Sequence, residues 1–142
     1  MDVVIPKAQH AKPGDTFRTE TKVITREDQE KFCEITGNLH PIFLDDNVAA
    51  ARGWGKRLVP GVLTLSYSIG LLEQSGFLDD VVAFMMADKL RYLGPVYIGD
   101  ALCVEVEFIE NKHVKSNTRT LSTYKFTAYN QDGKPVLEAV NT

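Results

Sequence analysis

The sequence predicts an α+β fold, an antiparallel sheet packed on one buried helix, and three observations lead there. After Pro60 the stretch VLTLSYSIGLLEQSG carries Val62, Leu65, Ile69 and Leu72 at helical spacing and no charge before Glu73. Two later runs, ALCVEVEFIE and RTLSTYKFTAYNQDG, alternate with the period of two that marks half-buried strands. Finally, the elements succeed one another as strand, short helices, one long helix and about four strands, which sets the helix between a first strand and a meander.

Each element has a local reason. Lys12-Pro13-Gly14-Asp15 is a turn, and TFRTETKVI after it, rich in threonine and β-branched residues, is a first strand. In TREDQEKFCEITG, the Thr25 N-cap, the acids of the first turn and Gly37 delimit a short helix. After Pro41, LDDNVAAARGWG has Asp45 or Asp46 as the cap of a second short helix, which Gly53 and Gly55 end.

The Pro60-Gly61 turn opens the long helix. Leu63, Tyr67 and Leu71 widen its apolar surface, while Thr64, Ser66, Ser68 and Gly70 are small or hydroxylated. With no strongly solvated face, this helix is expected to be buried on most sides. The run VVAFMMADKLRYLGPVYIGD and the three that follow make the meander. In one strand Leu102, Val104, Val106 and Phe108 alternate with Cys103, Glu105, Glu107 and Ile109, and in the next Tyr124, Phe126 and Ala128 alternate with Thr123, Lys125 and Thr127. Asn130-Gln131-Asp132-Gly133 is the hairpin loop before KPVLEAV, with Gly133 supplying a positive φ.

At 142 residues the chain is expected to form one domain over 1–142, with a core that needs neither disulfides nor metals. Its net charge is −3, with acids and bases interspersed, so nucleic acid is not an expected partner. Cys33 and Cys103 have no CxxC spacing and no clustered histidines, which points to neither zinc nor a disulfide framework and to a reduced, cytoplasmic setting. MDVVIPKAQHAKPGD lacks the basic and apolar regions of a leader, and no stretch approaches the roughly 20 apolar residues of a membrane span. Neither export nor a membrane is expected.

Three motifs carry a resemblance. They are Thr36-Gly37-Asn38-Leu39-His40-Pro41-Ile42-Phe43, Pro60-Gly61-Val62-Leu63 at the helix start, and Pro95-Val96-Tyr97-Ile98-Gly99-Asp100-Ala101-Leu102 between strands. In this order and spacing the chain resembles the MaoC-like dehydratases, which include (R)-specific enoyl-CoA hydratases, from about Pro13 to Val140. The resemblance implies a hotdog fold, a curved antiparallel sheet wrapped around one long central helix. It implies a lyase of the hydratase or dehydratase type acting on an acyl thioester of CoA or a carrier protein, without a cofactor. It also implies a site between two subunits. One curved sheet over one helix leaves an open edge and an exposed face for a partner, so a homodimer is expected, or a heteromer with an active paralogue.

The family motif T-G-D-x-N-P-x-H holds an aspartate and a histidine that together deprotonate the added water and return a proton. The matching positions here are Asn38 and Phe43. An amide has no titratable proton acceptor near neutral pH, and a phenyl ring exchanges no proton. His40, three residues earlier, is the candidate replacement, with Asn38 to orient it and Asp45 or Asp46 to supply a carboxylate; a loop histidine bonded to backbone is the alternative. Asp45 and Asp46 are also simple helix caps. Gly61 matches the family glycine whose N–H polarises the thioester carbonyl, a position where helix N-terminal donors favour an enolate oxygen.

Phe43, Val62 and Tyr67 are the candidate substrate contacts, with Ser66 or Ser68 as further polar groups of an acyl tunnel. Arg52, Trp54, Lys56 and Arg57 form a basic loop that is either a CoA phosphate contact or a solvated face. His10, in a segment expected to be flexible, and His113, near a strand end, are surface candidates, while Cys33 and Cys103 fit a small core or interface role. Two other functions stay open beside hydration. One is a catalytically inactive acyl-binding subunit or sensor, and the other is thioester hydrolysis, elimination or cyclisation in the same pocket.

Overall fold

The computed structural model describes residues 5–114 and 118–142. Residues 1–4, part of the stretch read for a leader, lie outside the described residues.

Among the described residues, six strands and three α-helices follow one another as β1 (Thr16–Arg18), β2 (Lys22–Val23), α1 (Arg26–Thr36), α2 (Asp46–Ala51), α3 (Gly61–Gln74), β3 (Ala87–Tyr92), β4 (Ala101–His113), β5 (Thr120–Tyr129) and β6 (Pro135–Asn141). The strands form an antiparallel sheet in the order β1-β4-β5-β6-β3, with β2 also paired to β4. The sheet curves around α3 without closing.

Burial follows the alternation expected of β4 and β5. Leu102, Val104, Val106, Phe108, Tyr124, Phe126 and Ala128 are buried against Leu63, Tyr67, Leu71 and Leu72 of α3. Phe77, just past α3, closes the end of this core. Its ring centroid lies 5.0 Å from those of Phe17 and Tyr124 and 6.4 Å from that of Phe108.

Local signals placed the helix ends. Thr25 accepts the Asp28 N–H, Gly37 ends α1 at φ 74°, and Asp45 accepts from both Asn47 and Val48 at the start of α2. In the 130–133 loop Gly133 has φ 72°, and the Asn130 side chain accepts the Asp132 and Lys134 N–H groups.

Four expectations are corrected. The first strand is two short ones, because the Thr19 hydroxyl accepts the Val104 N–H and donates to Glu20 O, interrupting the ladder between them. The run from Val81 forms a strand only over Ala87–Tyr92; before it, Val82, Phe84, Met85 and Met86 are more than half exposed. His10 belongs to a 3-10 turn, Ala8–His10, tied to the core by Ala8 N–H on Phe77 O. Lastly, α3 is buried on one side only, toward the sheet and α1, through Leu63, Thr64, Tyr67, Ser68, Leu71 and Leu72, while Val62 is 55% exposed and Ser66 and Glu73 face outward. Among the described residues no helix is long and apolar enough to cross a membrane.

Candidate functional site

Three backbone segments meet at the start of α3. Residues 58–60 lie between the 41–43 segment and the turn after β3. The Leu58 N–H donates to Ile42 O (3.0 Å), the Val59 N–H donates to Val96 O (2.8 Å), and Leu58 bridges Tyr97. The turn itself is fixed by Gly99 at φ 94° and by Asp100, whose carboxylate accepts the Tyr97 N–H. A positive φ at this position suits glycine.

Gln29 locks the arrangement from below. It is fully buried on α1, and its Nε2 donates to Phe43 O (2.7 Å) and Leu58 O (2.9 Å), joining α1, the 41–43 turn and the approach to α3. Its Oε1 has no hydrogen-bond partner among the described residues. Sequence reading passed over Gln29, since a glutamine inside a charged helix gives no sign of being buried.

Pro60 precedes α3 and no side chain caps it, so Gly61 opens a helix whose first-turn N–H groups are free of a side-chain acceptor. Tyr92 of β3 packs directly on Gly61. A Cβ at position 61 would stand 2.6 Å from Cε1 and 2.8 Å from Cζ of the Tyr92 ring, so only glycine fits there without displacing it. Burial raises the Tyr92 pKa, which keeps the phenol protonated. Tyr92 is the second residue that sequence reading missed; a tyrosine in a strand carries no local signal of what it covers.

Asn38 is half-buried, with its N–H donated to the Thr36 hydroxyl, and Leu39 beyond it is 58% exposed. His40 caps the Pro41–Phe43 3-10 turn, its Nδ1 accepting the Ile42 N–H at 3.2 Å, and its ring meets Phe43 edge-on at 6.0 Å. That bond assigns the proton of a neutral ring to Nε2. In this arrangement Nε2 donates, and the lone pair a general base needs is engaged by backbone.

The expected carboxylate partners do not face His40. Asp45 is the α2 cap, and Asp46 accepts from the Arg57 backbone (2.9 Å) and guanidinium (3.2 Å), which hold its carboxyl below the ordinary range. Arg57 also approaches Glu30 at 3.8 Å, and Lys56 lies over the Tyr97 ring at 5.5 Å. The basic loop therefore binds its own protein at two of its three cations.

Tyr67 lies apart from His40, Phe43 and Gly61, two turns into α3. It is buried, and its hydroxyl donates to Asp28 Oδ2 at 2.5 Å beside a cavity of about 300 Å³ between α1 and α3. Tyr67 lowers the Asp28 pKa, and burial together with Asp28 raises that of Tyr67. Ser66 and Ser68 donate to Val62 O and Thr64 O, so their polar ends are satisfied within the helix. A larger cavity, about 670 Å³, opens where Ile69 of α3 meets Leu78, Val82, Phe84, Leu121 and Tyr124.

Comparison with known proteins places this arrangement. A 3-hydroxyacyl-[acyl-carrier-protein] dehydratase of Arabidopsis thaliana mitochondria is 30% identical over 105 residues, 74% of this chain and 60% of that protein. A 3-hydroxybutyryl-CoA dehydratase of Methylorubrum extorquens is 34% identical over 89 residues, 63% of this chain and 55% of that protein. The chain thus spans little more than half the length of these relatives. Among solved structures, a monoamine oxidase regulatory protein of Archaeoglobus fulgidus superposes with a TM-score of 0.86 at 26% identity, covering 96% of this chain and 91% of that one. A Mycobacterium tuberculosis protein described as a double hotdog fold gives a TM-score of 0.83 at 20% identity, over 99% of this chain and 44% of that one, a likeness of fold alone. The MaoC like domain matches residues 8–130, which takes in the Asn38–Phe43 turn, the Gly61 helix start and the Asp100 turn together, and the chain belongs to that family as a hotdog-fold protein.

Proposed function

We propose that the protein binds an acyl thioester of CoA or of a carrier protein and adds or removes water across its α,β-carbon bond. The observation that carries this reading is the uncapped start of α3 at Gly61, held beside the 38–43 turn by Leu58 and Gln29. Family membership supports it. The Gly61 N–H would receive the thioester carbonyl, where the helix dipole favours the negative oxygen that develops in the enolate. From there the acyl chain would follow the outward face of α3 past Val62 and Ser66 to Ile69, about 12 Å along the axis, and into the larger cavity.

His40 is the acid-base group this reading names, with Asn38 within the same turn to orient substrate or water, and Phe43 and Val62 as apolar contacts. For His40 to accept a proton from water, Nδ1 must release the Ile42 N–H, either to free its own lone pair or to take the ring proton and leave Nε2 as the acceptor. Turnover is thereby linked to loosening of the Pro41–Phe43 turn.

The same hydrogen bond favours a second reading, a protein that binds the thioester without converting it. Asn38 and Phe43 supply no proton acceptor, and His40 is occupied as a cap. An assay of the purified protein with crotonyl-CoA and longer enoyl-CoAs, beside the double variant Asn38→Asp, Phe43→His, separates the two. Wild-type loss of the enoyl absorbance that His40→Ala abolishes supports the enzyme. Binding without turnover, with activity appearing only in the double variant, supports the binding protein.

The reading includes a second copy of the chain. β3 ends the sheet with all six residues exposed, Leu90 among them, and Val82, Phe84, Met85 and Met86 just before it extend the apolar surface. Unpaired edge strands invite pairing with another chain, and a second copy over β3 would also cover the outward face of α3.

A further inference from the structure

We propose that the Tyr92 hydroxyl is a second donor to the thioester carbonyl, standing beside the Gly61 N–H. The inference rests on the reading above that the start of α3 receives that carbonyl, and it assigns a role that neither the motifs nor the family pattern names.

The phenol ring occupies the space a side chain at 61 would need, with Cε1, Cζ and Cδ1 at 2.6, 2.8 and 3.0 Å from the Cβ position. The hydroxyl is one bond beyond Cζ, at the ring edge that faces Gly61, and in the proposed role it donates to an oxygen bound at the Gly61 amide. The ring is fixed there by the sheet, since Tyr92 pairs with Leu137 of β6 and the Leu93 N–H donates to Val136 O. The turn after β3 adds a second restraint through Val96 and Tyr97, which hold residues 58 and 59.

Packing on Gly61 needs the ring and makes no use of the oxygen. Among the described residues the Tyr92 hydroxyl has no hydrogen-bond partner, and the residue is 50% exposed, at the surface rather than in the core. A tyrosine whose ring is committed and whose polar end is unengaged is placed to meet a ligand. Paired donors converging on one oxygen are the arrangement that stabilises a developing oxyanion, and here one is backbone and the other a phenol that keeps its proton throughout.

The test compares wild type with Tyr92→Phe, which keeps the ring on Gly61 and removes only the oxygen. Two readouts are taken with crotonyl-CoA carrying a ¹³C-labelled carbonyl: the infrared carbonyl stretch of the bound thioester, and kcat and KM for hydration. The expected result is a carbonyl band moved to lower frequency in wild type that returns part of the way toward its solution position in Tyr92→Phe. The accompanying loss in kcat is on the order of 10², with KM changed only a few-fold, as for removal of one oxyanion donor.

A wild-type protein that binds without turnover leaves the carbonyl band to decide. Identical shifted bands in the two proteins, with equal kcat wherever there is turnover, overturn the role of Tyr92 and leave the thioester reading standing. Failure of wild type to bind or shift any enoyl thioester overturns both.

Discussion

The two faces of α3 differ more than its sequence periodicity indicates. Toward the sheet, Leu63, Leu71 and Leu72 are buried with Thr64 and Ser68, and the strands opposite them contribute Leu102, Val104, Val106 and Phe126 at full burial. Away from the sheet, Val62 is exposed, Ser66 faces outward, and β3 beside this face shows every residue to solvent. One face is completed within the chain. The other shows apolar Val62 to solvent beside an exposed strand, with nothing among the described residues to cover it, and an exposed apolar surface of this kind is where a ligand or partner would bind. Substitutions on the closed face should act on stability, and substitutions on the open face on binding and association.

The largest effect is expected at the closed end. Phe77→Ala removes a fully buried ring in contact with three others, and unfolding in denaturant should show a loss of about 3–5 kcal/mol. A loss below about 1 kcal/mol would mean that this end of the core is not closed as described.

Between the two faces stands Gln29. Gln29→Leu strands the carbonyls of Phe43 and Leu58, and a cost of about 2 kcal/mol in chemical denaturation follows from two partly buried acceptors left without donors. Thioester affinity should fall as well, because the 41–43 turn loses its tie to the approach of α3. Destabilisation with unchanged affinity would separate Gln29 from the site.

How much of this was legible in the sequence follows the range of the interactions. Thr25, Gly37 and Gly133 were readable, and the α2 cap was narrowed to Asp45 or Asp46, because each acts on backbone within a few residues. The alternation of β4 and β5 was readable because one face of each is buried. The break between β1 and β2 was not, since it is made by Thr19 on Val104, distant in the chain. Arg57, read as part of a basic loop, turned out to be the partner of Asp46 and Glu30 for the same reason. At the site, Gly61 and His40 stood out as residue types in a motif, whereas Gln29 and Tyr92 acquire meaning only from what the fold sets against them.

The Tyr67–Asp28 pair sharpens the comparison on the flank of α3. Tyr67→Phe removes one donor to a partly solvated carboxylate, and the expected cost at neutral pH is about 1 kcal/mol. Its pH dependence has a definite sign. The Asp28 pKa is depressed below its ordinary 3.8, so its contribution is complete above that value and fades as pH falls through the lowered one. The Tyr67 pKa is raised above its ordinary 10.0, so the pair's contribution is whole below that value and is lost as pH rises through the raised one. Thermal unfolding of wild type and Tyr67→Phe from acid to neutral pH should show a gap that closes toward acid; a constant gap would assign the effect to packing.

The smallest effect on the protomer, and the one that bears most on the open face, is expected from lysine on the apolar surface beside β3. Val82 and Leu90 are 74% and 38% exposed, so Val82→Lys with Leu90→Lys should change protomer stability by no more than about 0.5 kcal/mol per site. A charge on an edge that pairs with another chain is a different matter, since the ammonium must be desolvated or expelled as the edge closes. Sedimentation equilibrium of wild type should give a dimer and of the variant a protomer, with thioester binding weakened in step because the outward face of α3 loses its cover. A wild-type protomer that binds thioester at full affinity would break the comparison: the open face of α3 would then be complete as it stands, and its apolar residues would belong to the ligand alone.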